Sequence, residues 1–103
     1  MAYKLIVTDA AHADLNEALD YIANRLSNPT AAAHMLSQVE ACYAQLRTFP
    51  FLYEACHDGR LRDMGYRKTV IGNYVLIFHP NEERQTVYIL RYFYGARDYE
   101  KML

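Results

Sequence analysis

Hydrophobic and polar positions along the chain follow two different periods. Up to about Arg47 the apolar side chains recur every three or four residues; after Gly65 they come in short β-branched and aromatic runs. Leu15, Leu19, Ile22 and Leu26 fall at i, i+4, i+7 and i+11, one stripe on a helix of about four turns. Asp9 opens that helix as its cap, with Asp14 and Glu17 early in it, where the helix dipole favours acids. Ser27-Asn28-Pro29-Thr30 breaks the pattern, and Asn28 with Pro29 marks a cap and first turn for a second helix. This second helix runs from about Thr30 to Arg47, with Met35/Leu36, Val39, Cys42/Tyr43 and Leu46 on its apolar side. Phe49-Pro50 ends it. Two amphipathic helices joined so closely form an antiparallel hairpin with one wide apolar side.

Before the hairpin, Tyr3–Thr8 reads as a short strand. After it come three strand-like runs, Tyr66–Ile71, Tyr74–His79 and Thr86–Tyr94. Gly72-Asn73 supplies a tight hairpin turn, and Pro80-Asn81 with Glu82, Glu83 and Arg84 a longer polar one. Strict alternation in the last run sends Val87, Ile89, Arg91 and Phe93 one way and Tyr88, Leu90, Tyr92 and Tyr94 the other. Neither set is polar, so this is a central strand covered on both sides. The hairpin supplies one cover; the tail or a partner supplies the second. Residues 51–64 show no period and read as a connector. The first strand joins an edge of the sheet or pairs with a later strand.

The expected class is α+β: an N-terminal strand, an antiparallel helical hairpin packed on a C-terminal antiparallel three-strand meander, and a short C-terminal tail or helix. Leu15, Leu19, Ile22, Leu26, Val39, Leu46, Ile77 and Ile89 are its expected core. The 103 residues make one domain, 1–103, long enough to bury roughly 60–70% of the unfolded surface.

Composition changes this picture in two places. Ten tyrosines against four phenylalanines and no tryptophan suit half-buried positions and binding surfaces, and equally a plain Tyr-rich sheet. A net charge of −1 gives no overall pull toward nucleic acid, so any polyanion contact needs a local cluster. Cys42 and Cys56 are too few for a disulfide framework, and no signal peptide or long apolar span is present. A cytoplasmic location without membrane contact is the expectation. Cys42 falls on the second helix's stripe as a small hydrophobe.

Little in the chain points to bond-making chemistry. His12, His34, His57 and His79 lie on four different elements without metal-ligand spacing, so neither a metal nor any other cofactor is expected. Phosphate loops, nucleophile elbows and carboxylate pairs are likewise not evident. Two basic groups remain. Arg60, Arg62, Arg67 and Lys68 crowd the start of the meander; Arg91, Arg97 and Lys101 follow at its end, among Tyr92, Tyr94 and Tyr99. They form one target-binding patch if the strand ends lie close, or solvated turn charges if they do not. Arg91 sits inside an apolar strand, where it either meets a buried carboxylate or faces a groove. The groove is the favoured expectation.

The ordered set of features resembles the RelE/ParE superfamily of toxins from type II toxin–antitoxin, or plasmid-stabilisation, systems. It comprises the Ala11–Ile22 pattern AHADLNEALDYI, Phe49-Pro50, Gly65-Tyr66-Arg67-Lys68 and the Gly72 turn. Ile77-Phe78, Val87–Arg91 and Gly95-Ala96-Arg97-Asp98-Tyr99 complete it. The resemblance implies a growth-inhibiting protein neutralised by a cognate antitoxin, as a homodimer or a toxin–antitoxin hetero-oligomer. One branch of the superfamily cleaves mRNA on the ribosome without metal; the other poisons DNA gyrase by binding. In the nuclease branch, Arg97, Arg91, Tyr99 and His79 would be the catalytic candidates. Val75, however, stands where those nucleases often carry a strand arginine, and the long hairpin with Gly65–Lys68 is nearer the ParE branch. Target-binding candidates on that reading are Arg60, Arg62, Arg67, Lys68, Arg91, Tyr94 and Arg97. The ribosome-dependent nuclease, and a degenerate toxin serving only as an antitoxin-binding or co-repressor module, are the alternatives.

Overall fold

A computed structural model describes residues 2–95, 101 and 103. Strand β1 (Lys4–Val7) leads into helix α1 (Asp9–Asp20), which continues as a π-helical turn, Tyr21–Arg25. Helix α2 (Pro29–Thr48), a 3-10 turn (Pro50–Leu52) and the short helix α3 (Gly59–Asp63) precede the three strands β2 (Arg67–Ile71), β3 (Tyr74–Asn81) and β4 (Thr86–Tyr94). The sheet order is β1-β4-β3-β2. The meander is antiparallel, and β1 lies parallel to β4 at the edge, with Lys4 opposite Thr86 and Val7 opposite Ile89. That settles the place of the first strand.

Each helix starts where a side chain takes over a loose amide. Thr8, rather than Asp9, caps α1: its Oγ1 accepts from Ala11 N at 3.2 Å, and Asp9 becomes the first helical residue. Asn28 caps α2 through Ala31 N at 3.0 Å, with Pro29 in the first turn as the sequence predicts. Tyr3 N donates to Arg47 O at 2.7 Å, so α2 finishes beside the start of β1 while α1 leaves from its end. The two helices therefore run antiparallel.

Leu26 departs from the expected stripe. In the π-helical turn Leu26 N donates to Tyr21 O, five residues back, which inserts a residue into the helical phase. The stripe is carried past the sheet, and Leu26 is 56% exposed. Leu15, Val39, Leu46, Ile77 and Ile89 are buried as expected, with Leu19 and Ile22 packed at the margin.

Between hairpin and sheet lies the main core: Ala11, Leu15, Ala18, Met35, Val39 and Leu46 against Ile71, Leu76, Phe78, Val87, Ile89 and Tyr92. The opposite face of the sheet holds a second cluster of Cys56, Leu61, Ile77 and Phe93, joined by Leu103. The expected connector thus contains its own helix. Asp58 caps α3 by accepting from Leu61 N at 3.1 Å, and Leu61 drops into the second cluster.

Two details of the meander also differ from expectation. Pro80 lies within β3, opposite Val87, rather than in the turn. The β2–β3 pairing stops at Phe78, so Pro80 has a strand neighbour on one side and its missing N–H is tolerated. The second difference is a β-bulge. Ile77 faces Arg91 but Phe78 faces Ile89, leaving Leu90 as the extra residue. Strict alternation fails there: Val87, Ile89 and Tyr92 face the hairpin, whereas Leu90 and Phe93 join the second cluster.

Candidate functional site

The bulge also decides what becomes of Arg91. Because β1 ends opposite Ile89, the outer edge of β4 is open beyond that point. Side chains from the start of α1 fill the gap. Thr8 Oγ1 donates to Leu90 O at 3.0 Å, and Asp14 Oδ2 accepts from Tyr92 N at 2.9 Å. The same carboxylate takes Arg91 in a two-pronged pair, with Nε 2.7 Å from Oδ2 and Nη2 3.1 Å from Oδ1. Its hydrogen bond to Asp14 raises the Arg91 pKa further above its already high ordinary value. Arg91 therefore meets a carboxylate rather than the expected open groove. Its guanidinium also lies 4.9 Å from the centre of the Phe93 ring.

Lys68 from the first basic group and Arg91 from the second share one side of the sheet, whereas Arg67, in register with Phe78, faces the hairpin side. Lys68 and Arg91 are both in register with Ile77, one on each flanking strand, so their backbones stand about 10 Å apart. Helix α3, with exposed Arg60 and Arg62, packs over this same side through Leu61. Several of the cations have close partners. Lys68 Nζ is 3.7 Å from Glu54, Arg60 Nη1 3.5 Å from Leu103 O, and Arg67 Nη1 donates to Tyr53 O at 2.5 Å. Arg67 also lies 5.2 Å from the centre of the Phe51 ring.

His79 stands in a row of rings, 5.8 Å from Tyr66 and 6.3 Å from Tyr88. Gly65 passes beside it with φ +81°, and a Cβ there would come within 3.2 Å of the imidazole. Tyr94 is half exposed and edge-on to Tyr74 at 5.6 Å. Val75 lines up with Phe93 in the second cluster. Arg97 and Tyr99 lie outside the described residues, so their place in the site stays a sequence expectation. Among the described residues no three His, Cys, Asp or Glu side chains gather as a metal site would need.

Sequence reasoning missed Asp14 and Glu54, the two carboxylates that hold Arg91 and Lys68. Asp14 directly precedes Leu15, on the flank of the buried stripe, and that position was the available signal. Nothing comparable marked Glu54, because its approach depends on residues 54–56 running beside β2. There Lys68 N donates to Glu54 O at 3.1 Å, and Cys56 N to Tyr66 O at 3.0 Å.

A hairpin on one face of a mixed sheet, with a basic opposite face, defines an α+β domain of the RelE/ParE type. Over residues 5–99 the sequence matches the ParE toxin of the parDE type II toxin–antitoxin system, and the chain belongs to that family. Among solved structures it is similar to the toxin–antitoxin complex RelBE2 from Mycobacterium tuberculosis. That likeness has 22% identity and a TM-score of 0.64, and covers 91% of this chain and 99% of that chain. It is also similar to the chromosomal ParDE system from P. aeruginosa, at 18% identity and a TM-score of 0.67, covering 88% of this chain and 94% of that one. At these identities the likeness to solved structures is one of fold. No curated protein matches the chain. Among the described residues no helix is long and apolar enough to cross a membrane.

Proposed function

We propose that this toxin-family protein stops growth by binding its target, DNA gyrase, in the manner of the ParE branch, and is neutralised by a cognate antitoxin. The observation that carries this reading is the engagement of Arg91 by Asp14. Metal-free RNA cleavage needs a positioned base, a cation on the developing phosphorane charge and an acid for the leaving group. Arg91 is tied across the sheet edge by a carboxylate that cancels its charge. Val75 supplies no cation, and His79 lies between the Tyr66 and Tyr88 rings, with no ion pair among the described residues. Binding makes no such demand. A basic face with exposed Arg60 and Arg62 suits docking on an acidic surface.

The test is induced expression with separate metabolic labelling of DNA and protein. DNA synthesis stops first and cells filament, while bulk protein synthesis continues at early times. Arg97→Ala weakens the inhibition and leaves the melting midpoint unchanged. Rapid cleavage of mRNA on purified ribosomes, lost in Arg97→Ala, would place the protein with the nucleases instead.

A further inference from the structure

Helix α1 and strand β4 run side by side past the end of β1, and their contacts advance together. Thr8 meets Leu90, and Asp14 meets Tyr92. One turn further along, Glu17 and Tyr21 share the Asp14 face of the helix and come level with Tyr94 and its strand neighbour Tyr74. Tyr74 and Tyr94 stand at 85° with ring centres 5.6 Å apart, so their faces form two walls of a corner. Burial raises the Tyr74 pKa above its ordinary 10.0, and the charges of Tyr94, Tyr21 and Glu17 raise it further, as suits four groups gathered at one place. Tyr94 is 51% exposed and Tyr21 45%, so the corner opens to solvent. Tyr74 and Tyr94 also rim a shallow depression of 370 Å³ lined by Val70, Val75 and the Gly72 turn.

The chemistry of this corner is that of a cation site. Aromatic faces carry the negative side of the ring quadrupole and attract a guanidinium or ammonium group, and Glu17 adds a full negative charge. The same combination is filled one turn earlier. There the Arg91 guanidinium lies 4.9 Å from the centre of the Phe93 ring and pairs with Asp14. Glu17 with Tyr74 and Tyr94 repeats ring and carboxylate, but β4 ends at Tyr94, followed by Gly95, and brings no arginine. Among the described residues Glu17 has no ion pair. Asp20, held by Asn24, keeps the flank acidic.

We infer that the corner of Tyr21, Tyr74, Tyr94 and Glu17 binds the guanidinium of an arginine side chain presented by a polypeptide. The aliphatic stem lies in the depression against Val70 and Val75, and the planar head meets the ring faces and Glu17. Guanidinium suits the site better than ammonium, because it is planar, stacks on rings and is more weakly hydrated. Polyanions are turned away by Glu17 and Asp20. The corner belongs to the hairpin side of the sheet, whereas Arg60 and Arg62 lie over the other. The inference therefore stands apart from the choice of toxin target, and growth inhibition does not depend on it.

NMR titration of the isotope-labelled full chain tests it, with acetyl-Gly-Arg-Gly-amide and with the same peptide carrying citrulline, which keeps the shape of arginine without its charge. The arginine peptide should shift the amides of Asn73, Tyr74 and Tyr94, and the citrulline peptide should bind about fivefold more weakly. Tyr94→Leu should lower the affinity for the arginine peptide about fivefold, while Tyr94→Phe, which keeps the ring, retains it. Glu17→Gln should lower it severalfold and flatten its salt dependence. Tyr94 and Glu17 are exposed, so melting midpoints of the variants should match that of the parent. Equal affinity for the arginine and citrulline peptides, or unchanged affinity in Tyr94→Leu, overturns the inference. So does the absence of shifts up to about 10 mM peptide. Tighter binding of agmatine than of the peptide overturns it as well, and would assign the corner to a free guanidinium compound.

Discussion

Asp14 holds more of this molecule together than its position suggests. It satisfies the Tyr92 amide on an open strand edge and neutralises Arg91, and its side chain is only 16% exposed. Asp14→Ala leaves an orphan N–H and an unmatched charge. The expected cost is about 2–3 kcal/mol in denaturant unfolding, below that of a fully buried pair because Arg91 is 31% exposed. Arg91→Met on top of it should recover part of the loss. A second coupled pair lies between helix and sheet, where the Tyr43 and Tyr92 hydroxyls hydrogen-bond. Either Tyr→Phe change alone strands the other hydroxyl and should cost about 1–2 kcal/mol, whereas the double change costs less than the sum. Burial raises the Tyr43 and Tyr92 pKa values above their ordinary 10.0 and pushes the Cys42 thiol from 9.0 to about 11. Groups raised in the folded state favour folding fully below their unfolded pKa and lose that contribution as pH rises through the folded value. The melting midpoint should therefore hold up to about pH 9 and fall above it. In Cys42→Ala the fall should begin nearer pH 10, where the unfolded tyrosines first ionise.

Elements, unlike single contacts, are held by what covers them, and α3 is the clearest case. Its five residues are too few for a stable isolated helix, so its place depends on the Asp58 cap and on Leu61, which is fully buried against Ile77 and Phe93. Leu61→Ala should cost about 2–4 kcal/mol. It should also raise hydrogen exchange at Gly59–Asp63 before the hairpin responds, and equal exchange in both would refute separate packing of the two faces. How legible these elements were followed from what each depends on. The hairpin and the meander were readable because their periods are local: stripes through Leu15 and Val39, and a turn at Gly72-Asn73. Helix α3 was hidden, since its one buried side chain makes no period. The π-helical turn was hidden as well, because a single inserted residue leaves Leu26 in stripe spacing while turning it outward. Leu90 gave no sign of the bulge either, being apolar like its neighbours. The Arg91 partner followed the bulge out of view, because the pairing with Asp14 depends on where β1 stops beside β4.

At the scale of the whole molecule the charges are segregated although they nearly cancel. Helix α1 carries Asp9, Asp14, Glu17 and Asp20 and no lysine or arginine, while α3 and the start of β2 carry Arg60, Arg62, Arg67 and Lys68. The acidic helix lies on one side of the sheet and Lys68, Arg60 and Arg62 on and over the other, while Arg67 faces the hairpin side. Such a molecule has a direction in a field, so a partner with an acidic surface is met basic side first even at a net charge of −1. Steering acts on association more than on the strength of the finished complex, and rim charges contribute little to folding. Arg62 is the place to separate these effects, being exposed on α3 with its side chain outside both cores. Arg62→Glu should leave the melting midpoint unchanged while weakening growth inhibition on induced expression, and Glu17→Lys, on the opposite side, should not weaken it. Added salt should slow association of the parent protein with purified gyrase more than that of Arg62→Glu. If Arg62→Glu inhibits growth as fully as the parent, α3 does not face the target, and the basic side is a solvated surface.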